Sequence, residues 1–283
     1  DVYKRQVKNR TIDARSIHHT SGPPIMITMP DADFLFRIAD AAAGQTLPRF
    51  RQKLAVDNKV PGAFDPVTEA DRQAERAITA LIAAEFPDHA ILGEEFGRQG
   101  DGDALWVIDP IDGTRPFISG VPVWGTLVGL TVGGKARAGI MSQPYIGERF
   151  WTVGDGAYMD GPAGQATLHV RDVGALENAT LTTTNPRMFD SPMKERFGAL
   201  EDKVRLSRYG LDCYAFAMLA AGHIDLCVET GLQPYDIVAL IPIIEQAGGI
   251  VTTFDGGRAE NGGDVIAAAT PQLHSAALAV LNG

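Results

Sequence analysis

Apolar residues recur at helical spacing in two early stretches of the chain. In PDADFLFRIADAAAGQTLPRF (30–50), Phe34, Leu35, Ile38, Ala39 and Ala42 share one face, and Pro30 with Asp31 supplies a start signal, so the spacing predicts a helix. VTEADRQAERAITALIAAEF (67–86) predicts a second, opened by Thr68 in a T-x-x-D form of the capping box. The Gly/Pro-rich VDNKVPGAFDP (56–66) between them reads as a loop. Short β-type runs follow, HAILG (89–93) and ALWVID (104–109). WGTLVGLTVGGKARAGIMSQP (124–144) then reads as a hairpin around Gly133-Gly134, with RFWTV (149–153) and GAYM (156–159) continuing an antiparallel sheet.

The second half changes character. Strand-like ATLTTT (179–184), KVRL (203–206), IDLCVE (224–229), GIVTTF (249–254) and DVIAAA (264–269) alternate with helical SPMKERFGAL (191–200), DCYAFAMLAAG (212–222), YDIVALIPIIEQAGG (235–249) and PQLHSAALAVL (271–281). Such alternation predicts a layered α/β half. With the boundary in DGPAGQATLHVRDVGALEN (160–178), the chain divides into an α+β half over 29–165 and an α/β half over 166–283. Residues 1–28 show no periodicity and no secretory signal. DVYKRQ (1–6) looks like the translated end of a library adapter, which puts the native start at Met26 or Met29; the other reading is a disordered tail.

Composition narrows the function without deciding it. The chain has 283 residues, 45% of them hydrophobic, and a net charge of −10. No basic stripe is available for nucleic-acid phosphates, and no apolar run approaches the ~20 residues of a membrane helix. Cys213 and Cys227 form no C-x-x-C pair and have no histidine cluster near them, which speaks against a zinc site and suits reduced thiols in a cytoplasmic protein.

Candidate chemistry lies in the carboxylates at element ends: Asp65, Asp71, Glu94, Glu95, Asp109, Asp112 and Asp236. Asp109 closes an apolar strand, Pro110 stiffens the backbone, and Asp112-Gly113 makes a tight turn. The Gly113 and Thr114 N–H groups just beyond are positioned to form an anion nest. Crowded carboxylates next to an anion site are coherent only with cations among them, and hard divalent ions take oxygen ligands together with phosphate. DPIDGT lacks the EF-hand register, and Pro110 stands where a phosphoaspartate enzyme would need its nucleophile. The bland reading, two aspartates capping a turn, stays open on these residues alone.

DPVTEADRQAE, ILGEEFG, WVIDPIDGTRPFISG and PYDIVALIPIIEQAGG resemble, in order, the motifs of the inositol monophosphatase-like family of Mg²⁺-dependent phosphatases, over about 31–283. Arg115 and Phe117 after Thr114, with GVPVWGTL, QPYIGERFW, RYGLDCYAFAMLAAGHIDLCVE and LQPYDIVAL, resemble the histidinol-phosphate phosphatase branch; Pro116 departs from its pattern. The resemblance implies an αβαβα sandwich of the inositol monophosphatase and fructose-1,6-bisphosphatase type, a homodimer, and two or three Mg²⁺ ions. It implies metal ligation by Glu94, Asp109, Asp112, Asp236 and the Ile111 carbonyl, with Glu95 behind Glu94. Asp71 and Thr114 would orient an attacking water, Asp71 bonding the Thr114 hydroxyl or that water, and the Gly113 and Thr114 N–H groups would receive the phosphate. Attack by metal-activated water needs no covalent phosphoenzyme. For the organic part of the ester it implicates Glu229, Asp212 and Arg115. Asp212 has the alternative of capping the helix after it, Glu229 suits inositol hydroxyls as well as an ammonium, and Arg115 suits a surface ion pair. Histidinol phosphate is the first expectation, with inositol-1-phosphate or sugar phosphates as same-class alternatives and a non-catalytic metal- and phosphate-binding regulator as a different class. His89, His223, Trp106 and Trp124 read as structural, and Lys59 as a solvated lysine or a counter-charge to the acids.

Overall fold

The structure is a computed structural model and describes residues 27–53, 55–58 and 66–283. The expectations for residues 1–26, Lys59 and Asp65 therefore lie outside the described residues. Ile27 packs against the first core cluster below.

In chain order the elements are α1 (Ala32–Thr46), β1 (Asp57–Asn58), β2 (Pro66–Val67), α2 (Glu69–Glu85), β3 (Ala90–Gly93), β4 (Gly97–Gln99), β5 (Ala104–Asp112), α3 (Thr114–Ser119), β6 (Gly125–Val132), β7 (Lys135–Gln143), β8 (Glu148–Thr152), β9 (Tyr158–Gly161) and β10 (Gly164–Thr167). There follow β11 (Thr180–Thr183), α4 (Ser191–Glu201), β12 (Leu206–Tyr209), α5 (Cys213–Ala220), β13 (Leu226–Leu232), α6 (Pro234–Ile237), α7 (Leu240–Gln246), β14 (Ile250–Thr253), β15 (Gly263–Ala268) and α8 (Pro271–Leu281). Strands β3 to β10 form an eight-stranded sheet in the order β10-β9-β8-β7-β6-β5-β3-β4, antiparallel except for β3 beside β5. The second sheet has the order β12-β11-β13-β15-β14, with β11 parallel to both its neighbours.

Side-chain alternation stacks these elements into layers. In β5, Trp106 and Ile108 join α1 and α2 residues such as Phe34, Ile38, Ile78 and Ile82 in one core. Val107, of opposite parity, joins Leu127, Met141 and Phe150 against α5 and α7. The second sheet repeats the pattern: Cys227, Val265 and Ala267 face α5 and α7, whereas Leu226, Val228, Ile266 and Ala268 face α4 and α8 through Phe197, Leu200 and Leu273. The order is helices, sheet, helices, sheet, helices, an αβαβα sandwich. The period of two therefore aims Asp109 of β5 and Glu229 of β13 into the same middle layer.

A pair of glycines lets that middle layer close. Gly129 of β6 and Gly139 of β7 are cross-strand partners, and both lie under Ala239, the link between α6 and α7. A Cβ on Gly129 would stand 2.7 Å from the Ala239 nitrogen, and one on Gly139 would overlap the Ala239 carbonyl. Only bare backbone admits the link at this distance. The stretch 235–249, expected as one helix, is two. Pro242 cannot donate to Val238, so the helix breaks there and Pro242 falls in the first turn of α7, where no donor is needed. β12 begins at Leu206, the last residue of the expected KVRL run, three residues later than its start. Among the described residues, no helix is long and apolar enough to cross a membrane.

Candidate active site

The two aspartates of DPIDGT stand on one strand at a local irregularity. β5 pairs regularly with β6 up to Asp109, then shifts register between Asp109 and Asp112. Pro110, which has no N–H to give the ladder, sits in that interruption, and its carbonyl accepts from the buried Thr126 hydroxyl at 2.8 Å. The strand runs on to Asp112 and does not end at Asp109 as expected. Asp109 Oδ1 accepts from Ile111 N at 3.0 Å, and Asp112 Oδ2 from Cys213 N at 2.6 Å. Gly113 follows with φ +83°, and α3 starts at Thr114. A Cβ at Gly113 would press on Asp212 and Trp124 at 3.3 Å. Pro116 falls in the first turn of α3, so this departure from the family pattern costs no helical hydrogen bond.

The other acids arrive from separate elements. Asp236, on α6, accepts from Gln233 N at 2.7 Å in a capping box. Asp109, Asp112 and Asp236 each bring a carboxylate oxygen within 4.8 Å of the others. Glu94 lies in the turn after β3, its N–H donating to the Ile108 carbonyl at 3.1 Å, and its side chain reaches Asp109. Burial, then the charges of Glu94, Asp112 and Asp236, push the Asp109 carboxyl well above the usual range. Burial, then Asp212 and Asp236, do the same to Asp112. All-oxygen donors that repel one another in one place fit a hard divalent cation, and the neighbouring thiol of Cys213, itself pushed up by burial and by Asp112, is no ligand competitor.

Glu94, Asp109, Ile111, Asp112, Gly113, Thr114, Arg115, Asp212, Glu229 and Asp236 all line one cavity of about 430 Å³. Glu229 is buried; Oε1 accepts from Thr184 N at 2.6 Å and from the Thr184 hydroxyl at 3.1 Å, and burial pushes its carboxyl up to about 8. Asp212 adopts φ +47°, strained for a residue with a side chain, and makes no side-chain cap to α5. Its carboxyl is raised to about 6 by burial, against the pull of Arg115. Asp71 is not part of the cavity lining. Its Oδ2 accepts from Thr68 N at 2.8 Å and from the Thr68 hydroxyl at 2.7 Å, and burial lifts it to about 6. The Thr114 hydroxyl, expected to meet Asp71 or a water, donates to the Ile111 carbonyl at 3.2 Å.

The pattern of this site has a counterpart among known proteins: the model of the inositol monophosphatase family matches residues 30–282. The chain belongs to the inositol monophosphatase family. With that membership comes the reaction class, hydrolysis of phosphoric monoesters. A relative named bifunctional phosphatase IMPL2, chloroplastic, from Arabidopsis thaliana is 41% identical over 78% of this chain, which spans 63% of that protein's length. A histidinol-phosphatase from Streptomyces coelicolor is 37% identical over 87% of this chain and 94% of its own. Among solved structures, an inositol monophosphatase from Zymomonas mobilis superposes with a TM-score of 0.79 at 39% identity, covering 89% of this chain and 97% of that one.

Three supports of this family's site escaped the reading of the sequence. Thr184 holds Glu229, the Cys213 amide holds Asp112, and Glu75 of α2 accepts from Glu95 N at 2.8 Å and Phe96 N at 3.0 Å. Only the last left a signal: Glu75 is an acid in the buried stripe of an amphipathic helix, one turn after Asp71. Trp106 and Trp124 are fully buried, and Trp106 Nε1 donates to His89 Nδ1 at 3.1 Å.

Proposed function

We propose that this chain is a Mg²⁺-dependent phosphatase that cleaves L-histidinol phosphate to L-histidinol and phosphate, in histidine biosynthesis. The observation that carries the substrate is the placement of Asp212 and Glu229, two carboxyls lifted by burial, in the cavity of the metal cluster. An ammonium beside them restores the charge that burial discourages. Relatives named histidinol-phosphatase, at 35–37% identity over most of this chain, support the same reading.

Asp109, Asp112, Asp236, Glu94 and the Ile111 carbonyl would hold two or three Mg²⁺ ions. Bound Mg²⁺ supplies Lewis-acid polarisation of the ester and lowers the pKa of water. The Gly113 and Thr114 N–H groups receive the phosphoryl oxygens; for Asp71 with Thr114 to orient the attacking water, the Thr114 hydroxyl has to leave the Ile111 carbonyl and Asp71 has to act from behind the cavity lining. A bond forms from that water to phosphorus, the bond from phosphorus to the ester oxygen breaks, and the proton ends on the departing alcohol. Arg115 offsets Asp212 and meets the ester's organic part. A cytoplasmic homodimer completes the proposal.

A second reading, inositol-1-phosphate or sugar-phosphate hydrolysis, is favoured by the 39% identity to the Zymomonas inositol monophosphatase. Phosphate release from histidinol phosphate and inositol-1-phosphate, each with and without Mg²⁺, tests both. Preference for histidinol phosphate with Mg²⁺ is expected. Preference for inositol-1-phosphate would replace the substrate, and release indifferent to Mg²⁺ would remove the metal. No release from either would favour a regulatory homologue. Light scattering on the purified protein reads the dimer.

A further inference from the structure

Glu75 is fully buried on α2, a costly place for a carboxyl unless it is paired. Its two oxygens take the N–H groups of Glu95 and Phe96, consecutive residues of the turn between β3 and β4. The carboxyl sits where a side chain on Gly93 would otherwise be, because a Cβ there would overlap it. Nearby on α2, the Arg76 guanidinium lies over the Phe96 ring at 4.8 Å. Glu94 is thus fixed from both sides: its own N–H is bound to Ile108 of β5, and the next two are bound to Glu75.

We propose that Glu75 is a positioning residue for the metal site: seated in the space left by Gly93, it clamps the 94–96 turn so that the Glu94 carboxylate faces Asp109. This rests on the metal reading of the site given above. The clamp acts through backbone, so it sets where a ligand oxygen stands without touching the metal or the ester. Ligand supports of this kind typically change metal affinity by about 10- to 100-fold when removed.

Calorimetric titration of Mg²⁺ into the purified protein, well below its melting temperature, tests the clamp. Glu75→Gln keeps the side chain's volume but turns one acceptor into a donor that faces an N–H. Gly93→Ala displaces the carboxyl from its seat. Each is expected to weaken Mg²⁺ binding by about tenfold or more, and the double variant to bind no more weakly than the worse single one. Leu273→Ala, in the far core under α8, is the control for lost stability and should bind Mg²⁺ like the unaltered protein. Unaltered affinity in Glu75→Gln and Gly93→Ala, or an equal loss in Leu273→Ala, would overturn the inference. Amide exchange supplies a readout that needs no variant: the Glu95 and Phe96 amides should exchange slowly in the unaltered protein, and fast exchange would also overturn it. Failure of the unaltered protein to bind Mg²⁺ would instead bring down the metal reading itself.

Discussion

Asp109 has the strongest claim among single residues. It is buried, it meets Glu94, and it shares space with Asp112 and Asp236. Asp109→Asn should lower phosphate release by at least about 100-fold, as loss of a key electrostatic group does elsewhere. The variant should melt at or above the unaltered protein in metal-free buffer, because it removes a repelling charge; a melting temperature far below would mean that Asp109 supports the fold instead. Glu229 yields a pH prediction. Its ordinary value is 4.5 and burial raises it to about 8, so between these values the native state keeps a proton that the unfolded chain has lost. Stability from this group is full below about 4.5 and is lost as pH rises through about 8, by at most about 4–5 kcal/mol. Asp71 and Asp212, raised to about 6, add the same sign at lower pH. Metal-free melting temperature should therefore fall from pH 5 to 8, and Glu229→Gln should flatten that slope. The same substitution should cost more turnover on histidinol phosphate than on a neutral ester, and equal losses would remove Glu229 from the substrate.

Elements decide how those residues meet. α6 is a single turn, yet it carries Asp236, and it is held in place by the Ala239 link lying on Gly129 and Gly139. Gly139→Ala should force the link away from the sheet, cost about 1–3 kcal/mol of stability and weaken Mg²⁺ binding, as followed by denaturant unfolding and calorimetry. Unchanged binding would show that α6 does not depend on this contact. Much at this scale is legible in the sequence, because α1, α2, the β6–β7 hairpin and α8 each carry a strong period or turn signal of their own. Gly133 and Gly134, both at positive φ, turn the hairpin where their identity says. What is not legible depends on partners distant in sequence. β4 and β10 are short edge strands with no apolar alternation, α3 exists only because Gly113 releases the chain at the end of β5, and the break before α7 follows from one proline inside an apolar run. The site residues show the same division. Asp109 and Asp112 announce themselves through Pro and Gly, whereas Thr184 under Glu229 and the Cys213 amide under Asp112 are contacts made across 45 and 101 residues.

At the scale of the whole molecule, the acidic cluster draws on both sheets' surroundings: Asp109 and Asp112 belong to β5, Asp236 to the middle helical layer just after β13. A divalent ion held there stabilises the assembled sandwich and not the unfolded chain. At a Mg²⁺ concentration 100-fold above its dissociation constant the gain is about 2.7 kcal/mol, or about 4–5 °C in melting temperature for a chain of this size. Scanning calorimetry should show that rise, and Asp236→Asn should abolish it; a rise that survives would place the ion elsewhere. The late position of Asp236 has a further consequence for synthesis. On the proposed metal reading, a ribosome that has delivered everything as far as β13 has made the first sheet but only part of the cage, so the nascent polypeptide should stay inert toward esters until Asp236 emerges, and products terminated before it should be spectators, not weak enzymes.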